Sequence, residues 1–257
     1  MQNLKLVIEY LGTAYHGWQI QPGVPTVQGM LQDRMSILAR GQVLLQGAAR
    51  TDAGVHALGQ VASARFPGPV ETGRLRRSLN ALLPEDIRVR SLEPAPEEFH
   101  ARHSARGRIY RYQIVQGEPL SPFLRPFAAH SRDTLDTDAM REAAAMLIGQ
   151  RDFSSFRAAG DVSDSPVKEI RHSTIERAGE SGDLIIYMVE ASSFLQHMVR
   201  TIAGTLIEVG RGRLSPSRIE SILESRDRRN AGPTAPARGL CLMKVLYPDL
   251  APSPRGC

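Results

Sequence analysis

The sequence predicts an α+β fold, and two observations carry that prediction. Short alternating runs that read as strands recur between segments whose apolar residues follow helical spacing. The order of these segments in the first half of the chain then returns in the second. Residues 4–11 set Leu4, Leu6, Ile8 and Tyr10 against Lys5, Val7 and Glu9, the pattern of a half-buried strand. After a Gly/Pro-rich loop, Thr26 is placed to cap a helix with the apolar stripe Val27, Met30, Leu31, Met35 and Leu38. Residues 42–46 and 59–66 read as strands around a loop at 47–56. Residues 72–82 read as a second helix stopped by Pro84, and 87–92 as a fourth strand. The order is β-α-β-β-α-β, the split βαβ or ferredoxin-like arrangement.

The second half reads the same way. Residues 108–115 alternate as a strand, and Thr137 is placed to cap a helix over 138–148. Residues 170–177 and 183–190 form a strand pair around a Gly-containing turn at 178–182. Helices follow over 194–209 and 215–223, and 240–247 closes as a strand. The expectation is two ferredoxin-like halves, 1–100 and 101–257, sharing an extended, mostly antiparallel sheet flanked by helices.

Composition bounds the function. With 257 residues, 42% hydrophobic and 23% charged, the chain suits one large domain or two small ones and is too apolar for disorder. No apolar run approaches the roughly 20 residues that span a bilayer, and the start lacks a basic flank followed by an apolar stretch. Two cysteines, Cys241 and Cys257, cannot build a disulfide framework or a Cys-rich zinc site. A soluble, reduced, cytoplasmic protein is expected, with no membrane partner. The net charge is +5, and with only Lys5, Lys168 and Lys244 as lysines, 29 of the 32 basic residues are arginines. Arginine's planar fork suits phosphates and base stacking, but a GC-rich coding sequence produces the same bias. Basicity permits a nucleic-acid partner without requiring one.

Three segments hold candidate chemistry. Residues 50–56, Arg-Thr-Asp-Ala-Gly-Val-His, place Arg50, Asp52 and His56 on a loop between apolar strands, where a rigid scaffold can present a catalytic carboxylate. The same residues also read as a hairpin connection whose charges face water. Residues 99–112 interleave Arg102, Arg106, Arg108 and Arg111 with Tyr110, Tyr112, His100 and His103. Arginines neutralise phosphates and aromatic rings offer a face to an unstacked base; a strand with one wet face has the same pattern. Residues 193–204 carry Arg200 beside the apolar stripe Phe194, Leu195, Met198 and Ile202, where a charge needs a partner or a path to solvent. No Gly-rich nucleotide loop is present, and the histidines lack metal spacing.

Together these segments resemble the tRNA pseudouridine synthase A (TruA) family. The resemblance is carried in order by residues 10–19 (Tyr-Leu-Gly-Thr-Ala-Tyr-His-Gly-Trp-Gln), 26–28 (Thr-Val-Gln), 50–57 and 79–84 (Leu-Asn-Ala-Leu-Leu-Pro). It continues through 99–102, 108–112, 152–156 (Asp-Phe-Ser-Ser-Phe), 194–200 and 237–240, nearly the whole chain. It implies the pseudouridine synthase fold and an isomerase that converts uridine to pseudouridine at positions 38 to 40 in the anticodon arm of tRNA, without cofactor or metal, acting as a homodimer. By similarity Asp52 is the catalytic carboxylate, either a nucleophile at C1′ or the base that takes a C2′ proton. Arg200 matches the arginine that pairs with it, and Tyr110 the tyrosine that contacts the target base. Arg50, His56, Arg102, Arg108 and Arg111 are candidate RNA contacts. Two residues depart from the pattern: Ala49 stands where glycine is usual, which questions the backbone angles there, and Gln196 stands where an aromatic is common. The competing readings are a non-catalytic tRNA-binding protein, a hydrolase using Asp52 with His56, or a synthase acting on other uridines.

Overall fold

Alternation in the first strand becomes a one-sided burial pattern. β1 (Gln2–Tyr10) buries Leu4, Leu6, Ile8 and Tyr10 on one face, as successive strand side chains point to opposite sides. The structure, a computed structural model, describes residues 1–117, 119–161, 163, 165–179 and 182–248. α1 (Val27–Ala39) begins where Thr26 accepts the Gly29 N–H at 3.3 Å, and it buries Val27, Leu31 and Met35, one residue per turn. β2 (Leu45–Gly47) is shorter than the expected 42–46 and displaced along the chain. Its approach is bound to α1 instead of a ladder: the Val43 N–H donates to the Ser36 hydroxyl and the Leu45 N–H to the Gln32 side chain. β3 (His56–Phe66) starts three residues earlier than expected. α2 (Thr72–Leu82) has the expected bounds and is capped by Glu71, whose carboxylate accepts the Gly73 and Arg74 N–H groups. β4 (Ile87–Pro94) follows, and the Asn80 amide both donates to and accepts from the Val89 backbone, at 2.9 and 2.8 Å. That pair ties α2 to its strand.

β5 (Gly107–Gln116) opens the second half, followed by β6 (Ala129–Ser131) and α3 (Thr137–Ala145). The cap of α3 is Asp136, one residue before the expected Thr137. Its carboxylate accepts two first-turn N–H groups at 3.0 Å, while the Thr137 hydroxyl accepts from Arg177. β7 (Gly149–Asp152), β8 (Val167–Ala178) and β9 (Leu184–Ala191) come next, and β8 and β9 pair antiparallel as expected. The turn between them includes Glu180 and Ser181, which lie outside the described residues, as does Cys257. β6 and β7 have no counterpart in the predicted order, being too short for alternation to show.

α4 (Met198–Gly210) starts four residues later than periodicity suggests. The backbone of Gln196 is engaged elsewhere, its N–H by Asp161 and its carbonyl by Ala158, and His197 adopts a left-handed φ of 62°. That conformation is uncommon outside glycine and cannot continue a right-handed helix. α5 (Arg218–Ser225) and β10 (Leu240–Leu246) complete the chain.

Among the described residues the chain forms two compact units, Met1–Arg106 with residues 242–248, and Gly107–Cys241. Strand order in the first is β4-β1-β3-β10, with β2 on β3; in the second it is β5-β9-β8-β7, with β6 on β5. The β1–β3, β1–β4, β2–β3, β5–β9, β7–β8 and β8–β9 pairings are antiparallel and β5–β6 is parallel, so the fold is α+β and mostly antiparallel. No helix among the described residues is long and apolar enough to cross a membrane. Replacing the α1 cap, Thr26→Ala, is expected to lower the unfolding free energy by about 1 kcal/mol in urea titration, with Thr26→Ser retaining most of it.

Candidate active site

The loop between β2 and β3 is held from several sides. The Ala48 N–H donates to the Val61 carbonyl at 2.8 Å. The side-chain amide of Gln60, fully buried, then grips both groups of Ala49: its Oε1 accepts the N–H at 3.2 Å and its Nε2 donates to the carbonyl at 2.8 Å. The Thr51 carbonyl accepts the Trp18 N–H, and the Tyr10 and Thr51 hydroxyls are hydrogen-bonded at 2.7 Å. A turn closed from the Val55 N–H to the Asp52 carbonyl carries Asp52 at its first position. The carboxylate-bearing residue is half-buried, Arg50 is exposed, and His56 is buried. His56 Nδ1 accepts the Gly12 N–H at 3.1 Å, so that nitrogen carries no proton and the ring pins the loop to residues 12–18.

Two glycines let that segment lie against the loop. A Cβ at Gly12 would fall on the Val55 carbonyl, and one at Gly17 would lie 2.6 Å from the Thr51 oxygen and 3.1 Å from the Asp52 carbonyl carbon. Trp18, buried between this segment and β2, packs on Tyr10 with ring centroids 6.1 Å apart. Gln28 adds a bridge, accepting the Ile20 N–H and donating to the Leu45 carbonyl. Arg102 is exposed on a turn that His100 closes by accepting the Arg102 and His103 N–H groups.

In the second unit, β5 puts Arg108, Tyr110 and Tyr112 on its buried face and Arg111 on the other. Arg111 therefore does not share a face with Tyr110, a consequence of the two-residue period. Arg108 donates to the Ser192 carbonyl at 2.9 Å, fixing the segment that carries Phe194. Phe194 meets Tyr110 edge to face, centroids 5.1 Å apart at 89°, a favoured aromatic geometry. Arg200 sits half-buried in the first turn of α4, with Nε donating to the Ala235 carbonyl at 2.9 Å. A cation there stands among first-turn N–H groups, so the positive potentials add. The Tyr112 hydroxyl donates to the Pro236 carbonyl at 2.8 Å. Among the described residues no group of three His, Cys, Asp or Glu side chains is arranged to hold a metal ion.

Residues 6–104 and 143–248 match the tRNA pseudouridine synthase family. The chain belongs to that family. Among its curated relatives, tRNA pseudouridine synthase A of Myxococcus xanthus is 44% identical over 253 residues, 98% of this chain and 95% of that protein. The proteins of the same name from Geobacter sp. (strain M21) and Geotalea daltonii are 42% and 41% identical, over 97% and 96% of this chain and the full length of each relative.

The features in which this member of the family departs from the usual pattern are readily accommodated. Ala49 has no positive φ, so its Cβ meets no backbone penalty. Gln196 is exposed and engaged through its backbone, so the position does not call for an aromatic side chain. Residue-by-residue reading missed Gln60, Gln28 and Asn80, whose amides brace loops and strands. The one visible signal was Gln60 itself, a polar residue beside the apolar run 61–64.

Burial is the main cause that pushes the Tyr15, Tyr112 and Tyr187 phenols above the ordinary tyrosine range. The Asp86 carboxylate, accepting from Tyr15 at 2.6 Å, adds to it; Arg200 and Arg238 oppose it at Tyr112, and the Ser173 hydroxyl at Tyr187. The native state thus holds these protons more tightly than the unfolded chain, so the stability they contribute is present below pH of about 10 and lost as pH rises beyond it. In an absorbance titration, three of the six tyrosines should ionise only together with the loss of circular dichroism. Ionisation of all six before any unfolding contradicts this.

Proposed function

We propose that the chain isomerises uridine to pseudouridine at positions 38 to 40 in the anticodon arm of tRNA. The C1′–N1 glycosidic bond breaks, the uracil turns in place, C5 joins C1′, C5 loses its proton, and N1 gains one, directly or by exchange with solvent. Atoms balance without any other reactant. The observation that carries the reading is the Asp52 loop, part of the family match and held by hydrogen bonds from β3, from Gln60 and from residues 12–18.

Asp52 is assigned the reacting carboxylate, attacking C1′ or taking the C2′ proton. A carboxylate must act ionised in surroundings poor in water, which a nearby guanidinium favours; Arg200 is assigned that part. Tyr110, steadied by Phe194, is assigned the contact with the uracil ring and the proton leaving C5. The target base must leave its stack at a cost of a few kcal/mol, which aromatic and phosphate contacts offset. Arg50 and Arg102, both exposed, suit phosphate contact directly. Arg108 and His56 serve first by holding Ser192 and Gly12, and Arg111 reaches RNA only from the opposite face of β5. The chain is assigned to the cytoplasm as a homodimer that lays tRNA across both copies.

The test compares wild type with Asp52→Ala on tRNA transcripts lacking modification, reading pseudouridine by chemical labelling and primer arrest. Wild type should modify positions 38 to 40, and Asp52→Ala should bind tRNA with similar affinity and modify nothing. Modification by both proteins removes Asp52 from its role. Tight binding without modification by either indicates a binding protein instead.

A further inference from the structure

The second unit contains a cavity of about 480 Å³ that neither Tyr110 nor Arg200 lines. Its wall is basic, with Arg157, Arg226, Arg228 and Arg229 against Asp161 and Asp227. Two of the arginines are neutralised where they stand. Arg229 forks onto Asp227 at 2.9 and 2.6 Å, and Arg226 lies 3.1 Å from the Asp152 carboxylate. The other two are held less directly. Arg228 gives its two terminal nitrogens to neutral acceptors, the Ala231 carbonyl at 3.3 Å and the Thr234 hydroxyl at 3.1 Å. Arg157, half-buried, acts through its charge on the Asp152 and Asp161 carboxylates and helps to hold both below the usual carboxylate range. Asp161 is occupied too, accepting the Ser163 N–H and hydroxyl and the Gln196 N–H.

A guanidinium drawn partly out of water without a carboxylate is costly, and burial accordingly lowers the proton affinity of Arg228. Arg228, with Arg157 lining the same cavity, fits a phosphodiester, whose oxygens take the guanidinium fork. We propose that this cavity seats a backbone phosphate of the RNA substrate. The proposal rests on the reading of the chain as a tRNA-modifying enzyme and adds a contact outside the Asp52 loop.

Both walls bear on Arg200. On one side the Ala158 N–H donates to the Gln196 carbonyl and the Gln196 N–H to Asp161, four residues ahead of Arg200. On the other, Thr234 holds Arg228 and precedes Ala235, whose carbonyl receives Arg200 Nε. A phosphate between Arg157 and Arg228 braces the two segments that set the Arg200 side chain.

The test measures affinity for unmodified tRNA across a salt series in wild type, Arg157→Ala, Arg157→Lys and, from the opposite wall, Arg228→Gln, with thermal unfolding confirming that each is folded. Loss of one phosphate contact should weaken binding about fivefold near 0.1 M salt and flatten the slope of log K against log salt by roughly 0.7 to 0.9. Arg157→Lys should recover the slope. Unchanged affinity and slope in both Arg157→Ala and Arg228→Gln overturn the proposal. So does a wild-type response to inorganic phosphate, lost in Arg157→Ala, with tRNA binding unaltered; the cavity would then take free phosphate only. Absence of pseudouridine formation by wild type would strike the functional reading, whereas the salt comparison depends on binding alone.

Discussion

The first unit turns on a contact between two stretches of backbone. Residues 12–18 lie so close against residues 51–55 that side chains at Gly12 and Gly17 would occupy the carbonyls of Val55 and Thr51. Nothing larger than hydrogen fits, and the approach brings the Trp18 and Gly12 N–H groups to the Thr51 carbonyl and His56. With these buried polar groups paired, the loop can be packed and still remain irregular. Irregular backbone held in this way keeps its side chains in one place, which the role proposed for Asp52 requires.

The arginines divide between two uses. Several act within the fold as clamps on main-chain carbonyls: Arg108 on Ser192, Arg177 on Leu135 and Gly182, Arg200 on Ala235 and Arg238 on Ala128. A guanidinium can hold a carbonyl with one nitrogen and present the others elsewhere, which an ammonium on a flexible stem does less well. Others, such as Arg50 and Arg102, stand exposed. Net charge counts both kinds alike, so +5 says little about how much of the surface is available to RNA.

Where burial follows sequence period, the fold was legible. β1, α1, α2, β8 and β9 lie close to where alternation, stripes and caps put them. The failures have local causes. Asp136 caps α3 in place of Thr137, its Oδ1 taking two first-turn N–H groups while the Thr137 hydroxyl accepts from Arg177. The apolar stripe of residues 194–202 runs past the true start of α4, since periodicity does not register a left-handed residue such as His197. The return of the last strand to the first unit is likewise invisible, because a strand's partner is not written in its own period. Of the candidate site, Asp52 stood out by its neighbours in the chain. The bracing of its loop did not, because Gln60, Tyr10 and Gly12 act through space.

If the loop is as tightly held as its contacts indicate, its amides should exchange with solvent only when β3 itself opens. Native-state hydrogen exchange on the unliganded protein reads this directly at Gly12, Trp18, Ala48, Ala49 and Val55, each of which donates within this network. Protection at those five positions comparable to that of the β3 core is the predicted result. Exchange at the rates of an exposed loop, with β3 still protected, would contradict a pre-set Asp52.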